Sequence, residues 1–325
     1  MRAIQFDRFG GPEVYTIKSI PIPTPQPGEV LINVKAFGLN HAETHMRKGE
    51  WAEWVPISGI ECVGIVTSCP TGVFPPGTKV AALMGGLGRT RPGSYAEYTV
   101  ALVQNVVPLG DTGTLGWEEL AVLPEGYATA WTCLFRNLEV KEGQVLVVRG
   151  ATSGFGIAAV NLAVAAGVRV IATTRSRERF GKLLELGVER AEIEGPGLSG
   201  RLAETGKVDA VLDLVGNSVI LDSLKIVRRG GRVCLAGWLG GLDPIQDFNP
   251  LLQMASGVHF SFFGSFVFGD EQFPVSDVPL RDIVDDIAKG KFSAKPARVF
   301  KFEEISEAHR VMESNQANGK LVVVV

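Results

Sequence analysis

Residues 145–156 read VLVVRGATSGFG: four apolar strand-formers run straight into a turn with almost no side chains. The chemistry such a turn permits is phosphate binding. Gly154 and Gly156 let a phosphodiester approach the backbone, Ser153 adds a hydroxyl, and Phe155 lends its amide where the next helix begins. The first N–H groups of that helix point at the anion. The match to G-x-G-x-x-G is imperfect, because Ala151 and Ser153 stand in the first two glycine positions. A merely tight turn is the alternative; the strand before and the helix after favour a dinucleotide.

The second strand of this region ends IATTRSRER (171–179). A site for NAD usually carries Asp or Glu at this point, accepting hydrogen bonds from the ribose hydroxyls. Here Thr173, Thr174, Arg175, Ser176 and Arg177 include no acid. Hydroxyls and forked guanidinium donors suit a 2′-phosphate instead, so NADP(H) is the expected cofactor. The alternative is a solvated helix start that happens to be basic.

A metal is the other chemistry to weigh. His41, Glu43 and His45 lie close together, and the two histidines would share a helix face at i, i+4. There is no H-E-x-x-H pattern, and exposed histidines explain them as well. Cys62, Cys69, Cys133 and Cys234 are scattered, with no C-x-x-C pair. Neither a disulfide framework nor a cysteine zinc knuckle is expected, and no metal is assigned.

The elements that must position these groups fall into two styles. The first 120 or so residues are rich in glycine and proline with short apolar runs, implying an irregular β domain. From WEELAVLPEGYATAW onward, helical spacing appears, interrupted by Pro124 and Gly126. Then VLVV, VRVIATT, VDAVLDLV and GRVCLAG alternate with helical stretches, the pattern of a doubly wound parallel sheet. The fold class is α/β: a β domain first, then a dinucleotide-binding domain on a doubly wound parallel sheet, and after about residue 260 a mixed pattern that ends in a closing strand, LVVVV. At 325 residues, two domains are comfortable. A net charge of −3 gives no electrostatic case for nucleic acid or a membrane surface. With no secretory pattern in residues 1–20, a cytoplasmic protein acting on small molecules is expected.

Taken in order, PQPGEVLINVKAFGLN, GIECVGIV, GSYAEYTV, LPEGYATAWTCL, GATSGFG and NGKLVVVV resemble segments of the medium-chain dehydrogenase/reductase superfamily. The resemblance is to its zinc-free quinone oxidoreductase branch and covers nearly the whole chain. It implies a GroES-like first domain at 1–122, a Rossmann dinucleotide-binding domain at 123–260, and a return segment at 261–325 that completes the first. Zinc-dependent relatives use a loop Cys and the His of Gly-His-Glu. Those positions are Asn40 and Ile60 here, and catalytic zinc needs three protein ligands.

The same resemblance makes Asn40 and Glu43 candidate catalytic groups; His45, where the branch often has tyrosine, could donate a proton, and Tyr95 offers another pocket hydroxyl, each with a plain structural alternative. Asn40 could cap a helix, Glu43 could be a helix-start carboxylate, His45 could be a solvated side chain, and Tyr95 could fill a strand face. It sets Thr129 against the nicotinamide, with Ala236, Gly237, Phe263 and Gly264 flanking the dinucleotide. Asn318 and Lys320 would close over it. The phenylalanine-rich stretch 259–269 would pair with its counterpart in a homodimer. Without a Lewis acid, alcohol oxidation is hard, whereas hydride donation to an electron-poor acceptor is easier. The expected activity is NADPH-dependent reduction of a quinone or an α,β-unsaturated carbonyl. The alternative is an NADPH-binding sensor or scaffold with little turnover.

Overall fold

A computed structural model describes residues 1–203 and 208–325. The chain divides into two compact units, one made of Met1–Ala128 with Ser265–Val325 and the other of Thr129–Gly264.

The first unit is built on a seven-stranded, mostly antiparallel sheet. Its order runs Arg298–Lys301, Leu321–Val324, Glu29–Gly38, Glu61–Ser68, Lys79–Leu83 and Val106–Pro108, and Tyr98–Leu102 pairs along Glu29–Gly38. The last strand, Leu321–Val324, sets Val322 opposite Gly38 and Val323 opposite Phe37. The C-terminal segment is thus laid beside the strand that leads into Asn40. Ile4, Phe6, Phe37, Tyr95, Phe300 and Phe302 form the centre of the core, each at most 2% exposed. Burying side chains of this size contributes about 1.5–3 kcal/mol apiece.

Helix His41–Lys48 follows the strand directly. Asn40 is its N-cap, with extended backbone, and the Glu43 carboxylate accepts from the Asn40 N–H in a capping box. Gly49, at φ 73°, closes the helix in the left-handed conformation.

The second unit carries a six-stranded parallel sheet in the order Arg190–Ile193, Arg169–Thr174, Val145–Arg149, Val208–Asp213, Val227–Leu235, His259–Phe262. Numbered along the chain this is 3-2-1-4-5-6, which places a topological switch point beside Val145–Arg149. Ligands bind outside the carboxyl ends of strands at such a crevice.

One local expectation is refined. Pro124 does not interrupt a helix but opens one, Pro124–Thr132, where a missing N–H costs nothing. Among the described residues, no helix is long and apolar enough to cross a membrane.

Candidate active site

Val145–Arg149 ends at the small-residue turn, and helix Gly154–Ala165 starts from it. Ser153 is the N-cap: its hydroxyl donates to the Gly150 carbonyl at 2.9 Å and accepts from the Gly156 N–H at 3.0 Å. The Ile157 N–H donates to the Ser153 carbonyl. Among the described residues, the amides of Gly154 and Phe155 have no protein acceptor. Two donors at a helix start are left for an anion, as a pyrophosphate requires. Gly156 explains how the turn packs. A Cβ there would lie 2.6 Å from Ala151 Cα and from the Gly150 oxygen.

Arg169–Thr174 delivers the basic run. Thr174 is buried, with its hydroxyl 3.4 Å from that of Thr152. Ser176 caps the short turn Arg177–Arg179 by accepting from the Glu178 N–H, so its own hydroxyl hydrogen stays available. Among the described residues, the guanidinium groups of Arg175 and Arg177 have no hydrogen bond or ion pair. Elsewhere in the unit arginines are paired, as in Arg169 with Glu189 and Arg228 with Asp209. Unopposed guanidinium groups and free amides fit a phosphorylated dinucleotide.

The first unit gathers a buried polar cluster. Lys320 Nζ donates to Asn40 Oδ1 at 2.6 Å and forms an ion pair with Glu61. Asn40 Nδ2 donates to Glu61 Oε1 at 2.9 Å, and the Glu125 N–H donates to Glu61 Oε2 at 2.7 Å. Glu43 accepts from the N–H groups of Asn40 and, at 3.2 Å, Ile60. Glu43 and Glu61 have no exposed surface. Burial pushes the Glu43 carboxyl up to about 7, against the opposing pull of the Asn40 N–H and the Lys320 charge. Burial alone would lower the Lys320 pKa, but the charges of Glu61 and Glu125 outweigh it and keep the ammonium. The cluster therefore holds a fixed cation, its counter-ion, and a carboxyl near half-protonation at neutral pH.

Behind it lies Tyr95, fully buried and stacked on Phe37, its hydroxyl 3.1 Å from His309 Nε2. Burial and the Glu43 charge raise its pKa well above the ordinary phenol value. Burial, with the Arg47 charge, pushes His309 well below the ordinary imidazole value. His45 is separate from this cluster: its Nδ1 lies 2.5 Å from Glu50 Oε2 and its ring stacks on Trp51 at 5.4 Å.

The remaining candidates have definite places. Thr129 is buried on Pro124–Thr132. The Ala236 N–H donates to the Asp213 carbonyl, and Gly237 passes so close to Leu214 that a Cβ would meet its carbonyl oxygen at 2.8 Å. Both residues follow the carboxyl end of Val227–Leu235. The Phe263 N–H donates to the Leu235 carbonyl, and Gly264 ends the second unit. Asn318, at φ 51°, turns the chain toward Lys320 and the last strand.

Sequence reasoning did not single out Glu61, His309, Arg149 or Glu194. Lys320 and Asn40 are 280 residues apart, and no local pattern announces such a pair. The one signal for Glu61 is the Gly59-Ile60-Glu61 triplet, read only for its missing histidine. Among the described residues, no three His, Cys, Asp or Glu side chains group as metal ligands would.

A parallel sheet with a small-residue turn at its switch point, and a β unit completed by both ends of the chain, is the architecture of two-domain dehydrogenases and reductases. Comparison with known proteins agrees. The alcohol dehydrogenase GroES-like domain family matches residues 26–111, and the zinc-binding dehydrogenase family matches residues 193–323. A quinone oxidoreductase from Rattus norvegicus is 29% identical over 336 residues, covering 100% of this chain and 98% of that one. Among solved structures, a mycobacterial protein complexed with NADPH is 26% identical with a TM-score of 0.87, each chain covered in full. One described as an NAD-dependent alcohol dehydrogenase is 29% identical with a TM-score of 0.84, again over the whole of both chains. The chain belongs to the medium-chain dehydrogenase/reductase superfamily of oxidoreductases, in its quinone oxidoreductase branch.

Proposed function

We propose that this protein is an NADPH-dependent reductase that delivers hydride to a quinone or an α,β-unsaturated carbonyl without a zinc ion. The observation that carries this reading is the ammonium of Lys320, bonded to Asn40 and Glu61. Asn40 and Ile60 stand where zinc-dependent relatives have a Cys and a His, and a lysine cation already neutralises Glu61. A divalent ion would meet like charge and too few donors there.

The cofactor reading rests on Arg175 and Arg177, whose guanidinium groups have no protein partner among the described residues, and on the open amides of Gly154 and Phe155. NADPH, when bound, supplies the hydride. Thr174, Ser176, Arg175 and Arg177 hold its 2′-phosphate, and Ser153, Gly154, Phe155 and Gly156 hold its pyrophosphate. Thr129, Ala236, Gly237, Phe263 and Gly264, all of the second unit, border the rest of it.

The acceptor gains one hydride and one proton, with negative charge developing on its oxygen. Asn40 has a donor for that oxygen, because its second Nδ2 hydrogen has only a 3.5 Å contact with Glu43. Lys320 supports the charge through Asn40. Glu43, with a pKa of about 7, stores a proton at neutral pH. Tyr95 packs behind the cluster with its hydroxyl on His309, and His45 stands apart against Glu50, so neither is bonded to the groups that serve the acceptor.

The test uses metal-stripped protein, NADPH, and either a small quinone or an α,β-unsaturated ketone, following cofactor absorbance. Turnover with either acceptor is expected. No turnover, with NADPH binding confirmed in the same sample, would overturn the reductase in favour of a sensor or scaffold. Neutralising Arg175 and Arg177 together should weaken NADPH binding and leave NADH binding unchanged. An unaltered preference would remove them from the site.

A further inference from the structure

We propose that Glu194 is an acid able to read the adenosine ribose, set one strand away from the usual place, and that Arg149 holds it silent and so sets NADPH over NADH. The proposal rests on the NADP(H) reading above.

Placement comes first. Strand Arg190–Ile193 pairs in parallel with Arg169–Thr174, with Ile193 opposite Thr174. The Glu194 N–H donates to the Thr174 carbonyl at 2.8 Å, so Glu194 comes level with Arg175, where the basic run begins. Its side chain then reaches back across the sheet, and Glu194 Oε2 accepts from the Thr173 hydroxyl at 2.5 Å. A carboxylate is therefore delivered to the end of the second strand, although that strand carries no acid of its own.

Saturation comes next. Arg149 Nε donates to Glu194 Oε2 at 3.2 Å and Arg149 Nη2 donates to Oε1 at 2.5 Å, a forked pair. The Gly195 N–H donates to Oε1 at 2.8 Å. With Thr173 this makes four donors on a carboxylate that has about four acceptor sites. No acceptor position is left for a ribose hydroxyl.

Charge completes the argument. Arg149 has no exposed surface, and Glu194 is 6% exposed in its side chain. Arg149 Nη1 also donates to Ser223 Oγ at 3.0 Å and to Asp222 Oδ2 at 3.2 Å, and Ser223 in turn donates to Asp213. An unpaired carboxylate at this position would repel a 2′-phosphate, and in a medium of low dielectric that repulsion is large. Paired, it leaves the field of Arg175 and Arg177 unopposed. A buried ion pair adds little to stability over apolar packing, so its worth here is sought in discrimination between ligands.

The competing account makes Arg149 a structural tie between the ends of three strands and helix Ile220–Ile226. That role would alter both cofactors alike. Dissociation constants for NADPH and NADH, measured by calorimetry on the full-length protein, separate the two accounts. In Arg149→Met the preference should move toward NADH, on the order of tenfold. Adding Glu194→Gln to that variant should return most of the preference. Glu194→Gln alone, which keeps the side chain's size and leaves Arg149 its bonds to Asp222 and Ser223, should move the preference several-fold toward NADPH by unmasking Arg149. A ratio unchanged within about twofold in Glu194→Gln and in a folded Arg149→Met would overturn the proposal. If Arg149→Met does not fold, Glu194→Gln decides alone. Failure of the NADP(H) reading shows separately, as a wild-type protein with no preference that neutralising Arg175 and Arg177 does not change.

Discussion

Glu43 is caught between opposing demands: burial favours its neutral form, while two backbone donors and Lys320 favour its charge. Its folded pKa of about 7 lies above the ordinary 4.5. Between those values an unfolded chain gives up the proton and the folded chain keeps it. The stabilisation is present at pH 4 and is lost as pH rises toward 7, by roughly 3 kcal/mol. Urea unfolding from pH 4.5 to 7.5 should show this fall in wild type and a flatter profile in Glu43→Gln. The same ionisation should lower kcat/KM for acceptor reduction above about pH 7. Lys320 presents the opposite case, a charge kept by its partner. Lys320→Met strands Glu61 in a site without solvent, which should cost about 3–5 kcal/mol by denaturant unfolding. Combining it with Glu61→Gln should recover much of that loss. The residue types at 40, 43 and 320 were readable as chemistry, whereas the bonds among them were not. Those bonds join segments that only the folded sheet brings together, and single-residue spacing carries no record of them.

Elements were far more legible, because periodicity is local. VLVV, VRVIATT and VDAVLDLV read as buried strands and are strands, and LVVVV is the closing strand. Helix Gly154–Ala165, built mostly of small and apolar residues, lies close on the sheet. Gly156→Ala tests this directly. Its Cβ would meet backbone atoms, which cannot swing aside, so loss of dinucleotide binding with destabilisation of at least about 2 kcal/mol is expected. Gly181 is the contrast. It sits in helix Phe180–Glu185, and an added methyl would find no neighbour within 4 Å, so Gly181→Ala should stabilise by about 0.5–1 kcal/mol. Thermal melts of the two variants should move in opposite directions. Pro124 was less legible, since the same residue that breaks a helix interior is welcome at a helix start.

For the whole molecule, strand His259–Phe262 ends the parallel sheet and pairs only with Val227–Leu235 among the described residues, and Phe262 is 51% exposed. An exposed apolar strand at the edge of a sheet invites a second copy, and a homodimer extending this sheet is the expected assembly. Sedimentation should find a dimer in wild type, and Phe262→Lys, which sets a charge on this exposed edge position, should shift it toward monomer. A wild-type monomer would sink the assignment.

The first unit takes its strands from two distant stretches of the chain, with Leu321–Val324 lying against Glu29–Gly38. During synthesis, the earlier stretch must wait for the later one. The second unit is continuous, Thr129–Gly264, and can close on itself while the rest is still being translated. The nascent chain therefore acquires its small-residue turn before its polar cluster: Lys320 is the cation that the Asn40–Glu61 pair lacks until the ribosome has delivered the closing strand.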